Sequence, residues 1–95
     1  MNLYLLSQKI NKGYDTYDSC VVVAEDRDLA KMIVPFDIDE DDEDINPWSN
    51  SEESYNNSYN RGWCNTPEEV TVEYLGVAKE GSKENTVICS SFNAG

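Results

Sequence analysis

The chain has 95 residues, 19 of them acidic, 7 basic and none histidine, for a net charge of −12. That is enough for one small domain and too little for two, and its charge argues against binding nucleic acid through phosphates or docking on an anionic membrane. No apolar run reaches the ~18 residues of a membrane span. The opening Leu3-Tyr4-Leu5-Leu6 stops at Ser7-Gln8, short of an export signal, so the expected place is the cytoplasm.

Residues 2 to 10 alternate and carry β-favouring side chains, which predicts a first strand, and Asn11-Lys12-Gly13 supplies a turn. Tyr14-Asp15-Thr16-Tyr17-Asp18-Ser19 then leads into Cys20-Val21-Val22-Val23-Ala24, an uninterrupted run expected of a central or doubly covered strand. Asp26 is placed to cap a short helix over residues 27–33, with Leu29, Met32 and Ile33 at i, i+3 and i+4 and Pro35 ending it.

From Asp37 to Asn65 the composition turns to acids, Asn, Ser and Tyr, with no basic residue before Arg61. Nine of the 19 acids lie between Asp37 and Glu53, so this stretch holds −9; the rest of the chain sets 10 acids against 7 bases, or −3. A stretch this long without a periodic pattern is either functional or disordered. Thr66-Pro67-Glu68-Glu69 is a capping box with proline at the first helical position, predicting one turn before a third strand over Val70 to Ala78. Lys79 to Asn85 reads as a hairpin loop, and Thr86 to Phe92 as the fourth strand.

The order β-β-α-insert-β-β predicts an α+β fold: a four-stranded, largely antiparallel sheet with one short helix on one face and an acidic insert, 37–65, within a single domain. The 66 residues outside 37–65 make a small core, and a second copy or a partner is expected to supplement it. The three cysteines form no CxxC pair and have no histidine beside them, which predicts reduced thiols and no metal or cofactor. Cys20 and Cys89 read as small core residues, whereas Cys64 either is exposed and reactive or packs under Trp63.

Asp37, Asp39, Glu40, Asp41, Asp42, Glu43 and Asp44 put seven carboxylates in eight positions. Extended at ~3.3 Å per residue, they span about 26 Å, close to one charge per ~3.4 Å phosphate step of a nucleic-acid strand. Such a run suits a basic groove built for phosphates; the alternative is a solvated loop that aids solubility. Calcium-loop frames starting at Asp37 or Asp39 lack the required glycine and the closing glutamate. Beyond the run, Glu52 and Glu53 add charge, and Trp48, Tyr55 and Tyr59 are the aromatic candidates for a protein-binding surface, while Trp63 is expected to roof the sheet. Glu25, Asp26, Asp28, Glu68 and Glu69 are candidates to join the same acidic face. With no histidine, glycine-rich phosphate loop or GxSxG motif, no enzyme is expected.

The strings Leu3-Tyr4-Leu5-Leu6, Gly13-Tyr14-Asp15-Thr16-Tyr17-Asp18-Ser19, Trp63-Cys64, Pro67-Glu68-Glu69-Val70 and Ser91-Phe92-Asn93-Ala94-Gly95 resemble short open reading frames carried by bacteriophages. The resemblance covers both ordered halves but not the acidic insert, and carries no established activity. It implies by analogy an anti-CRISPR-like or other anti-defence protein that binds a host effector where that effector holds nucleic acid. The rival expectations are an interaction or assembly protein that binds through its sheet, and a divalent-cation-binding protein.

Overall fold

The computed structural model describes residues 1–13, 15–36, 48 and 62–93. Strands β1 (Asn2–Ser7) and β2 (Thr16–Ala24) pair antiparallel from Asn2↔Ala24 to Ser7↔Ser19. Their alternation points Tyr4, Leu6, Cys20, Val22 and Ala24 into one core. β1 ends three residues before Ile10 because Gln8 turns inward. Its side-chain amide donates to the carbonyls of Asn11 (2.7 Å) and Tyr17 (2.9 Å), and its oxygen accepts from the N–H groups of Ile10 (2.9 Å) and Asn11 (2.7 Å). Every hydrogen-bonding capacity of this buried amide is used, so it fixes the loop at little desolvation cost.

Asp26 caps α1 (Arg27–Ala30) as its position predicts, its carboxylate accepting from the Leu29 N–H at 2.8 Å. The helix is one turn rather than two. Beyond it the chain tightens into i→i+3 bonds, Met32 to Leu29 and Ile33 to Ala30. The inward face is Ala30, Ile33 and Val34, the expected spacing shifted by one residue, and Leu29 and Met32 are left exposed.

After a 3-10 turn (Pro67–Glu69) come β3 (Thr71–Val77) and β4 (Thr86–Asn93), completing a four-stranded antiparallel sheet with a short helix on one face. The sheet order is β3-β1-β2-β4, so the third and fourth strands lie on opposite edges and 79–85 is not a hairpin loop. The central strands decide this. β3 zips along β1 and continues into an Ala78 N–H bond to the Met1 carbonyl, while Asn85, at φ 59°, donates to the Val23 carbonyl at 2.8 Å. The connection therefore crosses the end of β1 and β2 instead of folding back.

Edge placement also corrects Cys89. It is exposed, not core, because among the described residues β4 has a neighbouring strand on one side only and the helix layer packs over β2, β1 and β3. Trp63 and Cys64, by contrast, are wholly buried in the core cluster with Val70.

Candidate functional site

The carboxylates Asp37, Asp39, Glu40, Asp41, Asp42, Glu43, Asp44, Glu52 and Glu53, with Tyr55 and Tyr59, lie outside the described residues. The structure does show what holds the stretch that carries them. At its start Phe36 is buried, 6% exposed, directly after Pro35. Twelve positions on, Trp48 packs half-buried against the same core, and its indole N–H donates to the Met32 carbonyl at 3.1 Å. The run of seven carboxylates thus lies in the sequence between two residues held on the core, Phe36 and Trp48.

The far end is held more tightly. Gly62, at φ +91°, sits so close to the β1–β2 loop that a Cβ would meet the Asp15 carbonyl oxygen at 2.5 Å. Its own carbonyl accepts from the Tyr17 N–H at 2.8 Å, and the next carbonyl, that of Trp63, accepts from the Asn11 side chain at 3.0 Å. Cys64 donates its thiol hydrogen to the Thr66 carbonyl at 3.4 Å. The capping box then closes the segment: the Glu69 carboxylate accepts from the N–H groups of Asn65 and Thr66.

Several acids expected on a shared face are engaged locally. Asp26 caps α1, Glu69 closes the capping box, and Asp28 lies 4.0 Å from Lys31, a distance at which an exposed pair contributes little. Glu25 and Glu68 are exposed. Tyr14-Asp15-Thr16-Tyr17-Asp18 also sets acids beside tyrosines: Tyr14 is outside the described residues, Asp15 and Asp18 are exposed, and Tyr17 is half-buried with its ring 4.7 Å from that of Phe92. Gln8 and Asn11, which tie the β1–β2 loop together and to Trp63, escape sequence reasoning because a lone amide after a strand has no spacing signal. Among the described residues no three cysteine or carboxylate side chains gather closely enough to hold a metal ion, and no helix there is long and apolar enough to cross a membrane.

Of the two readings of Cys64, packing prevails. Burial pushes its thiol up from 9.0 to about 11, reinforced by the Glu69 charge, and burial pushes Cys20 up to about 12, reinforced by Cys89. Labelling with an aromatic disulfide at neutral pH should therefore modify only Cys89 quickly, the other two reacting on unfolding; three equally fast thiols would contradict the burial. The raised values also give both thiols a share in the alkaline limb of stability. Both thiols are neutral in either state below pH 9.0, so their contribution is intact there; above it the unfolded thiols ionise first and stability falls. Each thiol contributes a slope of about 1.4 kcal/mol per pH unit until its folded value is reached. Urea unfolding across this range should be shallower by one such slope in Cys20→Ala. Comparison with protein-family models, with curated proteins and with solved structures finds no match to this chain.

Proposed function

We propose that this is a non-enzymatic anti-defence protein of phage type. It acts in the host cytoplasm and uses its acidic segment to occupy a basic, nucleic-acid-holding surface of a host effector. The observation that supports it is the charge arrangement: −9 of −12 concentrated between Asp37 and Glu53, with seven carboxylates in eight positions, in a stretch whose flanks are anchored by Phe36 and Trp48 and by Gly62 to Cys64. Anchored flanks reduce the chain entropy lost when such a segment docks, and dense carboxylates supply steering and counterion release.

The test replaces the seven acids of 37–44 by Asn and Gln and compares capture of nucleic-acid-handling complexes from host lysate at low and high salt. Wild type should capture such a complex at low salt and lose it as salt rises, and the neutral variant should capture none. Equal, salt-insensitive capture by both proteins would refute the proposal. Substitution is the sound design here, because deleting 37–53 also removes Trp48, which packs on the core.

A second reading, binding through the ordered sheet with the acids as a solubilising loop, draws support from the exposure of β4 from Ile88 to Phe92. It predicts that capture survives neutralisation.

A further inference from the structure

The two edges of the sheet are protected very differently. β3 carries a charge, Glu73, and a bulge at Leu75 beside Gly76, and the Arg27 guanidinium donates to its Val72 carbonyl at 3.0 Å. These are the usual obstacles to strand addition. β4 has the sequence Thr-Val-Ile-Cys-Ser-Ser-Phe-Asn, without a charge or a proline. Its pairing with β2 shifts register twice, at Ile88 between the partners Val21 and Val22 and at Asp18 of β2 between Tyr17 and Ser19. Residues 88 to 92 are all exposed, with Ile88 at 56% and Phe92 at 47%, so among the described residues this strand has an open outer edge and is poorly covered from Ile88 to Phe92.

We infer that β4 is a dimer seam, pairing antiparallel with β4 of a second copy to make a continuous eight-stranded sheet. The charge distribution selects the occupant. The chain carries −12, of which −9 lies between Asp37 and Glu53, yet β4 is neutral along its whole length, so two copies meet there without burying a charge. It is also self-complementary. A twofold axis perpendicular to the sheet keeps each face on its own side and brings Ile88, Cys89 and Phe92 of the two copies together near the axis. Backbone hydrogen bonds supply the affinity, and a seam of this size belongs with interfaces below about 1,200 Å², which dissociate readily. Two chains of −12 each repel one another, so the dimer strengthens with salt, opposite to the effector binding proposed above.

Sedimentation equilibrium of the full chain tests this. Wild type should show a concentration-dependent monomer–dimer equilibrium that shifts toward dimer at high salt and in the variant with the seven acids neutralised. Ile88→Lys, at an exposed position, should weaken association by about tenfold or more, while Leu75→Lys on the opposite edge leaves it unchanged; circular dichroism checks that both fold. A short bis-maleimide should link wild-type copies through Cys89 and fail with Cys89→Ser. A monomer at every concentration and salt, or a dimer indifferent to Ile88→Lys and not linked through Cys89, would overturn the seam. Because neutralising the acids should strengthen the dimer and abolish effector capture, failure of either proposal is read separately.

Discussion

Gly62→Ala should leave the protein without a cooperative fold at room temperature. The added methyl carbon would lie 2.5 Å from the Asp15 carbonyl oxygen and 3.0 Å from the Thr16 Cα, both backbone atoms that no rotamer change can move. The backbone there is at φ +91°, which costs an L-residue about 1–2 kcal/mol before any clash is counted. Relief would require pulling Gly62 from the loop and breaking the Tyr17 N–H bond to its carbonyl. Together these cost several kcal/mol, against a total of about 5–15 kcal/mol for ordinary domains and less for small ones. Gly81→Ala is the control: its φ of +87° is nearly the same, but nothing lies within 4 Å of the new carbon, so about 1–2 kcal/mol should be lost and the fold retained. Thermal melts followed by circular dichroism distinguish the two, and a Gly62→Ala melt close to wild type would refute the close approach.

Trp63→Ala should cost about 3–5 kcal/mol, the range for emptying a fully buried aromatic site. Trp63→Phe should cost far less. The indole N–H is buried and finds no hydrogen-bond partner among the described residues, a liability of about 1–3 kcal/mol that phenylalanine removes, offsetting part of the lost packing. Urea unfolding should thus place the Phe variant much nearer wild type than the Ala variant. Equal losses would mean that the indole nitrogen makes a bond on which the fold depends.

What was legible in the sequence was whatever is decided locally. The first and third strands follow from alternation, the second from its β-branched run, Asp26 from its place before an apolar spacing, and Glu69 from the capping box; apart from the early end of β1, each lies where that chemistry puts it. Sheet order is decided by pairing across the whole chain, so the glycine-containing 79–85 stretch has the composition of a hairpin loop while it joins opposite edges. The exposure of Cys89 follows from that order, and its apolar neighbours carry no sign of it. A one-residue rotation of α1 exchanged Leu29 and Met32 for Ala30 and Val34, because two registers share one spacing when the helix is a single turn. The acidic run is plain in composition. The inward half of Trp48 is not, since an aromatic in a polar stretch suits an interface and an anchor equally.

The anchoring of the acidic stretch bears on how this protein can change over evolutionary time. Loop-closure entropy grows with the logarithm of length, so doubling the chain between fixed ends costs only about 0.6 kcal/mol. Phe36 and Trp48 bound the acidic run and Gly62 to Cys64 close the stretch that follows it, so by this term alone added length between these fixed points costs the scaffold little. Length between such fixed points can therefore drift cheaply over generations, while selection on folding falls on the border positions Phe36, Trp48 and Gly62 to Cys64.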